Sequence, residues 1–381
     1  MKQGVYIHVP FCFSKCPYCS FTSFPVRAGV PGTYVSAVLR DIALEAREWE
    51  SSPFATVYFG GGTPSLLSPE EASTVMSALR DRLPIDADAE VTLECNPATV
   101  GAEALSAFRR IGINRLSIGV QSLGERELLA LGRIHRPEDA VRAITLSRAA
   151  GFDNISVDVM LGVPGQTRRS LACTLGGLVD LVDHVSVYML TVERGTLFHT
   201  MAARGLFAPP DDCLLADFYG QAADLLASSG LRRYEISNWA REGRRCLHNM
   251  VYWERGNYLG IGAGSHSHRA GRRYSKLRDP RQYARSLASG SGAVDFEEKL
   301  TEEQVMLEQV LLSLRTERGL DLGALVSGGA ARARFGRRIG DLVGAGYAVT
   351  DGKHLTLSPK GLLLHDEISA EISVALSATA A

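Results

Sequence analysis

The chain has 381 residues, 45% of them hydrophobic, with 41 Lys and Arg against 42 Asp and Glu and a formal net charge of -1. That balance creates no field favouring nucleic acid or an anionic membrane surface, and the length exceeds what one hydrophobic core usually serves, so two domains, one large core plus a smaller one, and no nucleic-acid partner are expected. Seven cysteines, an odd number, do not read as a disulfide framework in so long a chain.

The opening MKQGVYIHVP lacks a long apolar run before a cleavage site, and no later stretch reaches ~18 uninterrupted apolar residues, so the cytosol is expected. Strand-like runs then recur: VYIHV (5–9), TVYF (56–59), EVTLE (90–94), RLSIGV (115–120), NISVDVML (154–161) and HVSVYML (184–190). Between them lie segments with apolar residues at helical spacing, one of them opened by Ser68 as N-cap and Pro69 at the first helical position. Regular alternation of strand and helix predicts parallel strands. The unusual residues fall at their carboxyl ends, where α/β barrels place their sites. A full or partial parallel (β/α) barrel over residues 1–200 is therefore expected.

After about residue 200 the rhythm breaks at PPDD (209–212), and residues 201–299 read as an extension that carries HNMVYW (248–253) and a Gly-rich loop. From residue 300 an amphipathic helix with Thr301 as N-cap leads to YAVTDGKHLTLS, whose Asp351-Gly352 is a hairpin turn. Residues 300–381 thus read as a winged-helix-like module. Its Arg332, Arg334, Arg337 and Arg338 read as a solvated helix face.

The stretch FCFSKCPYCSF (11–21) sets Cys12, Cys16 and Cys19 close together. Structural zinc asks for four ligands, usually two pairs, and no second pair follows; His8, in an alternating strand, reads as a satisfied strand histidine. Cubane iron-sulfur clusters usually take four thiolates, so three leave one iron open to another ligand. The run Gly60-Gly61-Gly62-Thr63-Pro64 lets backbone approach a ligand closely. Glu94 offers an acceptor for hydroxyls, and Gln121, Arg133 and Asp158 offer polar groups on the same expected face.

The motifs YIHVPFCFSKCPYCSF, YFGGGTPSLL, LECNP, GINRLSIGVQSL, GRIHRPEDA and VDVMLGVPGQT, in that order, resemble the coproporphyrinogen III dehydrogenase family of radical S-adenosylmethionine proteins. The resemblance implies a [4Fe-4S] cluster on Cys12, Cys16 and Cys19, with S-adenosylmethionine at the fourth iron. It places Tyr6, Tyr18, Gly61, Gly62, Thr63, Glu94, Gln121, Arg133 and Asp158 at cofactor-contacting positions. Two departures select the branch. Phe21 stands where the decarboxylating enzymes carry a further cysteine, in a chain with only eleven residues before Cys12. HNMVYW matches the HNxxYW signature of the heme-chaperone branch, which makes His248 the candidate heme ligand and His266 and His268 secondary ones. The resemblance therefore implies a heme carrier that passes heme to a membrane-bound respiratory protein, with peripheral contact at the inner membrane face and homodimerisation. Whether it also turns over as an enzyme stays open. The alternatives are oxidative decarboxylation of coproporphyrinogen III, and a heme-methylating or heme-opening enzyme.

Overall fold

Six parallel strands in chain order form the centre of the fold in the computed structural model, which describes residues 2–49, 52–323 and 329–377. They are β1 (Gln3–Val9), β2 (Phe54–Gly61), β3 (Ile85–Cys95), β4 (Arg115–Gln121), β5 (Ile155–Leu161) and β6 (His184–Met189). Each pairs with the next in parallel, with registers such as Tyr6 opposite Tyr58 and Asp158 opposite Ser186. Helices follow the strands. One of them, Pro69–Arg82, begins at Ser68 with a full capping box to Glu71, which satisfies two otherwise orphaned amide donors.

The strands alternate strictly. On the outer face Val5, Ile7, Val57, Phe59, Leu93, Ile118, Val157 and Val185 are buried against helix residues such as Ile42, Leu79, Phe108 and Leu171. On the inner face stand Tyr6, Thr56, Tyr58, Glu90, Glu94, Arg115, Ser117, Asp158 and His184, whose contacts run across the interior. Parallel strands covered on both faces by helices read as continuous apolar runs. Here only one face is covered by apolar packing; the other lines a polar interior.

The sheet continues beyond the six. Strand Tyr258–Ile261 joins β1 in parallel, and Tyr258–Ile261, His266–Arg269, Arg272–Lys276 and Val294–Lys299 then pair antiparallel in succession. At the other end Asn238–Ala240 and Arg232–Glu235 follow β6. The two outer strands, Val294–Lys299 and Arg232–Glu235, do not pair with each other, so the barrel is partial. The segment read as a Gly-rich loop thus contains sheet strands. Its Gly260 has no room for a Cβ, which would lie 2.2 Å from the His266 carbonyl oxygen.

The C-terminal part has a core of its own, including Val310, Leu314, Leu355 and Ile372. Its hairpin pairs Ala348–Thr350 with His354–Leu357. Its first helix, Glu302–Arg315, is opened by a capping box between Thr301 and Gln304. That helix runs across the open side of the barrel. Glu308 pairs with Arg255 at 3.1 Å and Arg273 at 2.6 Å near one edge, and Arg315 pairs with Glu235 at 2.6 Å on the other. The side chain of Arg332 lies outside the described residues.

Candidate functional site

The three cysteines sit on the loop after β1. Cys12 ends a two-residue strand paired with Phe24–Pro25, and the Cys19 amide donates to the Cys16 carbonyl at 3.1 Å, which curls the loop back on itself. All three thiols are free and half-buried. Burial raises the Cys12 and Cys19 thiols above their ordinary value, so ligation would have to release their protons. N–H and O–H groups already face the sulfurs: Thr63 Oγ1 donates to Cys12 Sγ at 3.4 Å, and Arg133 Nη1 lies 3.9 Å from Cys16 Sγ. Arg133 is anchored through Nη2 to the Gly119 carbonyl at 2.6 Å, and its buried Nε has no partner among the described residues.

The glycine run after β2 explains itself sterically. A Cβ on Gly62 would lie 2.9 Å from Cys12 Sγ and 2.7 Å from the Phe11 carbonyl oxygen, while Gly61 has φ +122°. Only glycine serves both positions. No three His, Cys, Asp or Glu side chains among the described residues meet at one ion-sized point. A cubane distributes its thiolates over different irons and needs neighbouring thiols, not convergence on one atom. The free thiols, their donors and the orphaned Arg133 Nε fit such a group.

Beneath the loop two half-buried carboxylates line the interior. Glu94 accepts from Tyr58 Oη at 2.9 Å and from the Gly61 amide at 3.0 Å. Burial, and then the neighbouring Asp158 charge, push it up to about 7. Asp158 accepts from Ser117 Oγ at 3.4 Å and is pushed up to about 6, chiefly by burial. Both groups are thus poised to change charge near neutrality, which clusters at functional sites.

Gln121 ends β4 with φ 67°, a left-handed conformation that costs a non-glycine residue on the order of 1–3 kcal/mol. Its neighbours hold it there. Ser122 Oγ donates to buried Glu127 at 2.6 Å, and the Gly124 amide donates to Ser122 Oγ at 2.8 Å. Tyr6 donates to or accepts from His8 Nδ1 at 3.0 Å, and His8 Nε2 reaches the Thr22 carbonyl at 3.0 Å, tying the cysteine loop to β1. Tyr18 packs toward Phe198 with ring centroids 6.4 Å apart. Cys12, Cys16, Cys19, Gly61, Gly62, Thr63, Glu94, Gln121, Arg133 and Asp158 therefore gather at the carboxyl end of the strands, with Tyr6 and Tyr18 beside them.

His248 lies elsewhere, toward the amino end of the strands. It is 1% exposed, with Nδ1 2.7 Å from Thr56 Oγ1 and Nε2 2.8 Å from Tyr252 Oη. Its ring stacks on Tyr58 at 5.0 Å, and burial, then the Arg115 charge, lower it to about 3. Both nitrogens are engaged, so iron ligation through either would require one of these bonds to open. Glu90 accepts from the amides of Leu247 and His248 at 3.1 and 3.0 Å. His268 is also engaged, through Nδ1 to the Gly256 carbonyl at 3.0 Å. His266, by contrast, is exposed.

Several interior residues escaped the motif reading: Thr56, Tyr58, Arg115, Ser117 and His184. Arg115, 2% exposed, places its charge among Cys246, Glu90, Tyr58 and Tyr234. His184 bridges Ser156 at 2.8 Å and Tyr234 at 2.8 Å. The signal was present as period-two polarity in RLS, ISVD and HVSVY, which no single motif contains.

The profile of the Radical SAM superfamily matches residues 6–175, and that of the HemN C-terminal domain matches residues 300–364. The protein named heme chaperone HemW in Mycobacterium tuberculosis is 37% identical over 369 residues, covering 96% of this chain and 93% of its own length. Heme chaperone HemW of Escherichia coli is 42% identical over 268 residues, 69% of each chain. A mouse protein, radical S-adenosyl methionine domain-containing protein 1, mitochondrial, is 40% identical over 70% of this chain and 60% of its own. In structure, coproporphyrinogen III oxidase (HemN) of Escherichia coli superposes with a TM-score of 0.82 at 23% identity, covering 98% of this chain and 90% of that one, which establishes the fold. The motif order, the strand-end site and a relative aligned over nearly the whole chain agree: the chain belongs to the HemW family of radical S-adenosylmethionine proteins.

Proposed function

We propose that this chain carries a [4Fe-4S] cluster on Cys12, Cys16 and Cys19, binds S-adenosylmethionine beside it, and takes up heme as cargo for a membrane-bound respiratory acceptor. The observation that carries the reading is the set of three free thiols beside Thr63 and Arg133, above two interior carboxylates, in a chain whose relatives are named heme chaperones. When bound, a cluster held by three thiolates leaves one iron for S-adenosylmethionine and supplies electrons there.

The chain's own residues then have defined tasks. Glu94 accepts hydrogen bonds from ribose hydroxyls, for which its present donors Tyr58 and Gly61 orient it. Gly61 and Gly62 allow the backbone to approach, and Thr63 and Arg133 donate toward the sulfurs and whatever they bind. Gln121 and Asp158 supply further polar contacts, with Tyr6 and Tyr18 as aromatic walls. Among the described residues no helix is long and apolar enough to cross a membrane; we place delivery at the cytoplasmic surface of the membrane, by a chain able to dimerise.

Anaerobic reconstitution tests this reading. The parent protein is expected to take up iron and sulfide in cluster stoichiometry and heme saturably, and each Cys→Ala variant to lose the cluster. Conversion of coproporphyrinogen III to a decarboxylated product with reductant and S-adenosylmethionine would identify a biosynthetic enzyme instead. Mass spectrometry distinguishes the two.

A further inference from the structure

A heme site asks for a neutral imidazole with an accessible nitrogen, a flat apolar surface beside it, and cations at the rim for the propionates. His248 is neutral, but it is 1% exposed and both its nitrogens are engaged, so it offers no accessible one. The outer sheet meets these needs at another place. His266 is opposite Ser275, and Ser275 is opposite Phe296, so the three side chains form one cross-strand row on the same face. His266 is exposed and makes no side-chain hydrogen bond to the described residues, and Phe296 is 53% exposed.

The row lies on the inner side of the sheet. Tyr274 and Lys276, which alternate with Ser275, point the other way, toward Glu45 and Asp41 of the first helix. His268 and Arg273 form the next row, where Glu308 of the crossing helix pairs with Arg273 at 2.6 Å. The rows above that helix stay open. Two strand spacings, about 10 Å, separate His266 from Phe296, and only the small Ser275 side chain stands between them.

Cations and the cluster loop border the same face. Arg278 and Arg273 are the two positive charges acting on His266, and Arg278 is exposed. Arg278 Nη2 donates to Thr22 Oγ1 at 3.2 Å, and Phe21, next to it on the cysteine loop, is 67% exposed.

We propose that an iron porphyrin docks on this face with the His266 imidazole as axial ligand, its ring over Ser275 against Phe296, and its propionates toward Arg278. The inference rests on the heme-carrier reading and supplies the ligand for it. It also places the cargo beside the loop that carries the three cysteines.

The test is hemin titration of the full chain, read by Soret absorbance and by electron paramagnetic resonance. The parent protein is expected to bind saturably, and His266→Ala to raise Kd at least tenfold while far-UV circular dichroism and reconstituted iron content stay those of the parent. His266→Cys is expected to bind with the spectrum of a thiolate-ligated heme, a gained signal that no folding defect mimics. Unchanged affinity in His266→Ala, together with no thiolate signature in His266→Cys, overturns the assignment and leaves the carrier reading intact. Absence of saturable binding by the parent overturns both.

Discussion

Replacing His248 by Ala removes a ring from the centre of an aromatic stack and two hydrogen bonds at once. The ring lies 5.0 Å from Tyr58, 6.3 Å from Tyr6 and edge-on to Tyr252 at 5.0 Å. A buried large-to-small change of this kind costs about 2–4 kcal/mol. The hydroxyl of Thr56, fully buried, loses its partner as well, which adds about 1–3 kcal/mol. Partial collapse of the site offsets some of this, so the expected loss is about 3–5 kcal/mol. His248→Phe keeps the stacking and loses only the hydrogen bonds, for about 2 kcal/mol. Urea titration of both apo variants, with the slope unchanged from the parent, reads the difference directly. Losses below about 0.5 kcal/mol in both variants would refute the packing role derived for His248. The result also decides how a heme-binding defect at this position is to be interpreted, because an unfolded variant binds nothing specifically.

Glu94 has its carboxyl raised from an ordinary 4.5 to about 7; its contribution to stability is fully present below pH ~4.5 and is lost as pH rises through about 7. Glu94→Gln is therefore expected to stabilise the apo protein by about 1–2 kcal/mol at pH 8, after discounting for solvent screening at its partly accessible carboxylate, and by nothing near pH 4; a pH-independent difference in melting free energy would contradict this. Gly62→Ala sets a methyl 2.9 Å from Cys12 Sγ and is expected to reduce reconstituted iron content severalfold with little change in circular dichroism; full loading would show that the loop shifts freely. Arg315→Ala leaves the fully buried Glu235 carboxylate unpaired at about 3–5 kcal/mol, and Arg315→Met with Glu235→Gln is expected to recover most of it in the same urea assay.

The sequence made the six parallel strands legible because each is a compact β-branched run bounded by turn residues, and the cysteine loop legible because Cys12, Cys16 and Cys19 lie close together in the chain. What it hid depends on distance along the chain. Tyr58 and Glu94 are 36 residues apart and Thr56 and His248 are 192 apart, and no local pattern joins such pairs. His248 shows the difference most clearly. HNMVYW reads as a signature that offers His248 as heme ligand, yet Glu90 captures the amides that begin its helix and draws the imidazole down between Gly4 and Thr56. The Gly-rich segment misled in the opposite sense. Glycines suggested an irregular loop, whereas Gly260 is there because an adjacent strand passes too closely for any side chain.

The helix Glu302–Arg315 carries a mechanical consequence. Its 14 residues form a rod about 21 Å long, fastened through Glu308 at its middle and Arg315 at its C-terminal end. A rigid rod across an open cylinder fixes how far the cylinder gapes. The aperture of the barrel is thereby set by a module that contributes none of the three cysteines and neither carboxylate. A force applied to the C-terminal module reaches the mouth of the barrel through two ion-paired fastenings, whose strength falls as salt rises.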